Sequence, residues 1–96
     1  MDIASDLDTG EIVGYCVSTV SANKQGEIDS IYIEPDYRRS GIGNNLMGRA
    51  LHWMDDLSAT RKVLVVGIGN EEVLEYYRKY NFYPRSVVLE QLMEHD

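Results

Sequence analysis

The alternation of apolar and polar residues predicts three strands in the first part of the chain. Residues 3–7 and 11–21 flank the turn signal DTG at 8–10, and the longer segment is rich in β-branched and aromatic residues, as expected of a β-hairpin. After another turn signal, both faces of the segment GEIDSIYIEP are partly apolar, which indicates a central strand that Pro35 ends. These three strands are predicted to form an antiparallel meander.

The spacing then changes to that of a helix. From Asn44 to Leu57, apolar residues recur three and four positions apart, which predicts an amphipathic helix packed on a sheet. The apolar run 61–68 predicts a strand that is buried on both faces. Residues 71–80 predict a second helix with Asn70 as its N-cap, and residues 82–92 predict further strand.

This order of elements predicts the fold class α/β (α+β), with a mixed, mostly antiparallel sheet and two crossover helices. Ninety-six residues of which 44% are apolar are expected to form a single domain, 1–96. The chain has one cysteine, no signal-peptide pattern and no apolar run of about 18 residues. A cytoplasmic protein without a membrane partner is therefore expected.

The net charge and the positions of the histidines argue against two classes of function, nucleic-acid binding and metal binding. The net charge of −7 argues against binding to nucleic acid, which needs a basic face, and leans toward cationic substrates. His52 and His95 have no partners at metal-ligand spacing, so no metal site is predicted.

The tripeptide Gly-Ile-Gly occurs twice, at 41–43 and at 67–69. The second copy follows a strand, as a dinucleotide-binding loop does, but Glu72 occupies the position that must be small and would repel a pyrophosphate. The second copy is therefore interpreted as flexible backbone at a bending strand end. The first copy follows Arg38 and Arg39 and precedes the first helix, so its amides and guanidinium groups suit a pyrophosphate. The alternative is a glycine-rich turn with solvated arginines.

Two motifs carry a resemblance to a known family. Arg38-x-x-Gly41-x-Gly43, after IYIEPDYR, resembles the acyl-coenzyme A pyrophosphate loop of the GNAT superfamily of N-acetyltransferases. The segment VLEYYRKYNF resembles the later helix of that family, with Tyr77 at its tyrosine and Asn81 in place of its glycine. The resemblance covers nearly the whole chain but only the later two thirds of the family fold. It implies an N-terminally abbreviated domain, because the family usually begins with a strand and two helices that wall the acceptor site.

The resemblance implies acetyl-CoA (coenzyme A) as the co-substrate. The pantetheine arm is expected to bond to the backbone of the third strand, and the pyrophosphate is expected in the glycine loop. Asn70 is implied either to bond the arm or to act only as an N-cap. The implied cofactor-binding residues are Ile31, Tyr32, Ile33, Arg38, Arg39, Ser40, Gly41, Ile42, Gly43, Asn44 and Asn70.

Two residues match catalytic positions of the family. Tyr77 matches the general acid that protonates the departing thiolate, and Glu27 matches a glutamate that deprotonates the amine, directly or through water. For Glu27 the alternative is a solvent-facing carboxylate at a strand end. For Tyr77 the alternative is a buried tyrosine whose hydroxyl bonds to a neighbour.

The resemblance thus implies acetyl transfer to a primary amine of a small molecule or a protein. Two alternatives stay open: a non-catalytic CoA-binding regulatory module, and a fragment of a longer acetyltransferase. A homodimer is also expected, because a small domain with an open sheet edge tends to cover it.

Overall fold

The structure is a computed structural model that describes residues 1–93. Within these residues it contains strands β1 (Asp2–Ser5), β2 (Ile12–Val20), β3 (Gln25–Ile33) and β4 (Arg61–Leu64), and helices α1 (Ile42–Asp56) and α2 (Leu74–Arg78). Single 3₁₀ turns cover Pro35–Tyr37 and Glu71–Val73. The chain forms two compact units, Met1–Val65 and the residues from Val66 onward. The sheet and α1 belong to the first unit, and α2 belongs to the second.

The sheet has the order β1-β2-β3-β4. The first three strands are antiparallel neighbours, and β4 lies parallel to β3. A parallel neighbour needs a crossover connection, which α1 provides. The predicted fold class of a mixed, mostly antiparallel sheet with two helices is therefore confirmed, as are the hairpin and the central position of the third strand.

The core of the first unit lies between α1 and the sheet. Its fully or nearly fully buried side chains are Val13, Cys16, Ile28, Leu46, Met47, Ala50 and Met54. The helical members recur at spacings of three and four, as predicted. Burial of each large apolar side chain stabilises the unit by about 1.5–3 kcal/mol. The same desolvation raises the pKa of the Cys16 thiol.

Helix α1 approaches β3 closely at Gly26. A Cβ atom at this position would lie 2.6 Å from Sδ of the buried Met54. Only a residue without a side chain leaves room for this methionine, so Gly26 lets α1 pack directly on the strand. The face of β3 on which a Gly26 side chain would lie is therefore the face that packs against α1.

The prediction of a final strand over 82–92 is wrong for the described structure, in which these residues form neither helix nor strand. Val87, Val88 and Leu89 are exposed by 79%, 88% and 90%. A strand is stable only when a neighbour pairs with its backbone groups, and an apolar sequence does not show whether a neighbour is available. Helix α2 is therefore not followed by a strand within residues 1–93, and only α1 joins two strands.

Two other elements are shorter than predicted. Strand β4 ends at Leu64 rather than at residue 68, and Val65 is 82% exposed. The predicted burial on both faces is also wrong, since Arg61 is exposed and the other residues of β4 are only half-buried. The second helix begins with a 3₁₀ turn, in which the Val73 amide donates to the Asn70 carbonyl at 3.1 Å, and becomes α-helical at Leu74.

Candidate functional site

Strand β3 has an edge that is only half used. Its pairing with β4 runs from Gln25 opposite Arg61 to Ile28 opposite Leu64 and then stops, although β3 continues to Ile33. Among residues 1–93, the segment from Ser30 to Ile33 pairs on its β2 side alone. A β-bulge lies at this transition, since Val17 pairs with Ser30 and Ser18 with Ile28. Bulges redirect a strand locally, which suits a point where pairing ends.

The open edge contains the three residues whose backbone is predicted to hold the pantetheine arm. Ile31 and Ile33 are half-buried, and Tyr32 between them points to the opposite face and is 39% exposed. The Tyr32 ring lies against Tyr15 of β2, with ring centroids 6.0 Å apart. An exposed edge of this kind can bind an extended ligand through main-chain hydrogen bonds, as an added strand would bind.

The chain then turns from β3 into α1 through residues 38–44, which we call the anion loop. The entry to this loop is fixed, because the Glu34 amide donates to the Val13 carbonyl of β2 at 2.8 Å. Arg38 folds back, so that its Nε donates to the Ile33 carbonyl at 2.9 Å and its guanidinium carbon lies 5.9 Å from the Tyr32 ring centroid. This hydrogen bond uses one of the five donors of a guanidinium group. The remaining donors can bind an anion beside the open edge.

Helix α1 begins in the anion loop with exposed amides. Gly41 is its N-cap, has a left-handed φ of 89° and, as glycine, has no side chain that could cap the first amides. The first amides of a helix, here those of Ile42 and Gly43, have no carbonyl partner within it. They lie at the positive end of the helix dipole, where an anion is stabilised. Asn44 follows in the same turn.

Ser40 differs from the other residues of the anion loop. Its amide donates to the Tyr37 carbonyl at 3.4 Å, and its hydroxyl donates to the same oxygen. Both donors bond within the turn, so the loop amides proposed to bind a ligand start at Gly41 rather than at Ser40. Arg39, which is exposed, has a left-handed φ of 73°.

Glu27, the predicted base, lies near the other end of β3. It is half-buried and sits in the paired part of the strand, between Thr19 of β2 and Val63 of β4. Because neighbouring residues of a strand point to opposite faces, Glu27 points away from the face on which Gly26 contacts α1. At about 3.3 Å per residue, Glu27 and Ile33 are about 20 Å apart along the strand. The structure therefore puts the predicted base and the anion loop toward opposite ends of strand β3.

Tyr77 lies in α2, in the second unit. It is half-buried, and its ring meets the Tyr76 ring edge to face at a centroid distance of 5.3 Å. Its carbonyl accepts the Phe82 amide at 3.2 Å across the helix end, where Asn81 has a left-handed φ of 66°. Asparagine tolerates this conformation better than other residues with a side chain. Asn81 can therefore take the left-handed conformation that ends the helix, at the position where the resembling motif has glycine.

The second Gly-Ile-Gly segment forms a turn in which a backbone amide donates to a nearby carboxylate of the chain. Gly69 has a φ of 99°, and its amide donates to the Glu71 carboxylate at 2.9 Å. Hydrogen bonds from the amides of Glu71 itself and of Gly69 lower the pKa of this carboxyl group. Asn70 occupies the N-cap position of the following 3₁₀ turn, as predicted, but its side chain makes no capping hydrogen bond. Its role toward the pantetheine arm stays a prediction.

Residues 1–93 contain no group of three or more side chains that could hold a metal ion, and His95 lies outside the described residues. No helix in the same range has the length and apolar character needed to cross a membrane.

Comparison with known proteins identifies similar chains. Residues 3–82 match the model of the Acetyltransferase (GNAT) family. The chain is 34% identical over 87 residues to an uncharacterized N-acetyltransferase of Archaeoglobus fulgidus, which covers 84% of this chain and 54% of that one. It is 30% identical over 90 residues to an N-alpha-acetyltransferase of Sulfolobus acidocaldarius, with 81% and 53% covered. The chain spans about half the length of these curated relatives.

A solved structure with the same fold is an aminoglycoside N-acetyltransferase in complex with CoA. The TM-score is 0.80, the sequence identity is 13%, and the match covers 97% of this chain and 74% of that one. At this identity the likeness concerns the fold alone.

Proposed function

Because the chain belongs to the GNAT family of acetyltransferases, we propose that it transfers an acetyl group from acetyl-CoA to a primary amine. One observation carries the proposal: the open edge of β3 leads directly into the exposed helix N-terminus of the anion loop. An extended chain with a pyrophosphate at one end matches such a surface in shape and in charge.

The residues of the first unit fit acetyl-CoA. The amides from Gly41 to Gly43, at the start of α1, and the guanidinium groups of Arg38 and Arg39 would hold the pyrophosphate. The backbone from Ile31 to Ile33 would hold the pantetheine arm through main-chain hydrogen bonds. The solved relative in complex with CoA has the same fold, which supports this choice of co-substrate.

The proposed reaction uses two side chains for proton transfer. Bound acetyl-CoA supplies an activated acetyl thioester. Glu27 accepts a proton from the amine, directly or through water, so that the nitrogen can form a bond to the acetyl carbon. The carbon–sulfur bond breaks, and Tyr77 donates its proton to the departing thiolate. A phenol with an ordinary pKa near 10 is protonated at neutral pH and can serve as this acid.

The acceptor is proposed only as a class of primary amines. A net charge of −7 favours an acceptor that carries further positive charge. The relative from Sulfolobus acidocaldarius is an N-alpha-acetyltransferase, which supports a peptide with a free N-terminus as the first acceptor to test. A polyamine and an aminoglycoside complete a panel that separates protein from small-molecule acceptors. A cytoplasmic location remains part of the proposal.

The proposal is tested by calorimetric titration of the 96-residue chain with acetyl-CoA, together with turnover assays on this panel. We expect saturable binding and release of CoA with at least one amine. Binding without turnover on any amine would favour the CoA-binding module or the fragment of a longer enzyme. A chain that folds but does not bind acetyl-CoA would contradict the proposal.

A further inference from the structure

Tyr37 connects the anion loop to a distant turn of the chain. It is the last residue before the loop, and its hydroxyl donates a hydrogen bond to Oδ2 of Asp6, 31 residues earlier. Asp6 lies just after β1, where the chain turns toward β2. Both residues are half-buried. Neither belongs to the Gly-Ile-Gly motif, and no spacing in the sequence indicates that they meet.

The Asp6 carboxylate is a fixed acceptor. Its Oδ1 accepts the amides of Asp8 at 2.7 Å and of Thr9 at 3.2 Å. Its backbone is held as well, because the Asp6 amide donates to the Glu11 carbonyl at 2.8 Å and the Gly10 amide donates to the Asp6 carbonyl at 2.7 Å. The Tyr37 hydroxyl, followed by the two side-chain-bound amides, lowers the pKa of Asp6. The carboxylate is therefore ionised and accepting at neutral pH.

Tyr37 in turn holds the anion loop through its backbone. Its carbonyl accepts both the amide and the hydroxyl of Ser40, while its own amide donates to the Glu34 carbonyl at 2.9 Å. Between Tyr37 and Ser40 the chain passes through Arg39, whose left-handed φ of 73° is unfavourable for a residue with a side chain. Such a conformation persists only when surrounding contacts hold it. The hydrogen bonds between Tyr37 and Ser40 span Arg39 and hold it in this conformation.

We propose that the Asp6–Tyr37 hydrogen bond positions the anion loop for a pyrophosphate, which makes Tyr37 and Asp6 positioning residues for the acyl-CoA substrate. This inference rests on the proposed function. It adds a part to the site that the glycine motif does not contain: a hydroxyl and a carboxylate that set where the Gly41, Ile42 and Gly43 amides lie.

The first test is Tyr37→Phe, which removes the hydroxyl and keeps the ring. We expect CoA affinity to fall by about tenfold. Without the bond to Asp6 the anion loop is free to leave its binding conformation, and the free energy of one charge-assisted hydrogen bond corresponds to about this factor. The KM for acetyl-CoA rises in proportion, and kcat at saturating acetyl-CoA stays the same. Amide resonances of Ser40 and Gly41 shift in the free protein. Tyr15→Phe is the matched control, since it removes a hydroxyl from β2 and should leave CoA affinity unchanged.

The second test is a double-mutant cycle. Asp6→Asn keeps an oxygen acceptor for Tyr37 and should retain most of the CoA affinity, whereas Asp6→Ala should lose at least as much as Tyr37→Phe, because it also removes the acceptor of the Asp8 and Thr9 amides. The variant that carries Asp6→Ala and Tyr37→Phe together should lose no more than Asp6→Ala alone, because the bond between the two residues is already absent there. Additive losses would overturn the proposal and indicate two separate structural roles.

The outcomes separate this inference from the proposed function. If the parent chain binds CoA and Tyr37→Phe binds it within twofold with an unchanged KM, the positioning role is wrong and the proposed function stands. A lower kcat with unchanged CoA affinity would also contradict positioning. If the folded parent chain does not bind CoA, the proposed function and this inference both fail.

Discussion

Gly41 combines a left-handed backbone conformation with open space around it. Its φ of 89° costs a residue with a side chain about 1–2 kcal/mol. Apart from its two chain neighbours, a Cβ atom there would meet no atom of the described residues within 4 Å. This open space adjoins the start of α1, because Gly41 is the N-cap of that helix. Glycine at this position is thus required by the turn, and it also keeps the approach to these amides clear.

We therefore predict that Gly41→Ala lowers CoA affinity by about tenfold, because relief of about 1–2 kcal/mol of backbone strain would move the free loop out of the conformation that binds the anion. Titration calorimetry measures the change. Gly48→Ala is the control, because Gly48 lies within α1 with equally open surroundings. It should stabilise the protein by about 0.5–1 kcal/mol and leave CoA affinity unchanged. Equal CoA affinity of Gly41→Ala and the parent would refute the assignment of the anion loop.

Tyr77 tests the chemical step rather than binding. We predict that Tyr77→Phe retains acetyl-CoA affinity and lowers kcat by about 10²-fold or more, because the general acid is lost. The measurement is turnover on an amine for which chemistry limits the rate. Tyr76→Phe is the matched control, since neighbouring helical residues point about 100° apart and only one of the two can serve as the acid. Unchanged turnover in Tyr77→Phe would remove this residue from the mechanism.

At the scale of elements, the pairing of β2 with β3 supports the open edge. Gly14 of β2 pairs with Ile33, and a Cβ atom at Gly14 would lie 2.9 Å from the Tyr32 carbonyl oxygen. That oxygen belongs to the backbone and cannot move without shifting β3. We predict that Gly14→Ala destabilises the protein by about 1–3 kcal/mol, as overpacking does. Urea unfolding measures the change, with Gly48→Ala as the control. A variant as stable as the parent would contradict this prediction and show that β3 can shift away from the added Cβ atom at little cost in free energy.

The elements also show what a sequence can predict. The helix α1 and the strands β1 to β3 were predicted because local turn signals and apolar periodicity specify them. The last residues of the VLVV run and the segment 82–92 have the same local character, but pairing decides whether such residues form a strand. Pairing depends on a neighbour elsewhere in the chain. The same limit hides the Asp6–Tyr37 bond, which joins two residues far apart in sequence.

Within the candidate site, the sequence predicted the anion loop through a motif whose residues are adjacent. The left-handed glycine and the exposed amides follow from that motif. The motif does not predict the hydrogen bonds from Ser40 to the Tyr37 carbonyl and from Arg38 to the Ile33 carbonyl. These bonds depend on the three-dimensional path of the turn. Local motifs therefore predict which segment forms a site more readily than which atoms face outward.

At the scale of the whole molecule, exposed apolar residues favour self-association. Val87, Val88 and Leu89 are each at least 79% exposed, and burial of one such side chain contributes about 1.5–3 kcal/mol. We predict a concentration-dependent dimer by light scattering. Val88→Lys combined with Leu89→Lys should shift the protein toward monomer, whereas Glu90→Lys should not. A parent chain that stays monomeric at the highest concentration reached would contradict this expectation.

Cys16 gives the molecule an internal reporter. It is the single cysteine of the chain, it is 1% exposed in the core between β2 and α1, and burial raises the pKa of its thiol. A protonated, buried thiol does not react with a disulfide reagent until the core opens. The rate of labelling therefore measures opening of the first unit without an added probe. Acetyl-CoA has no free thiol, so any slowing of labelling that it causes reports stabilisation of the folded state by binding.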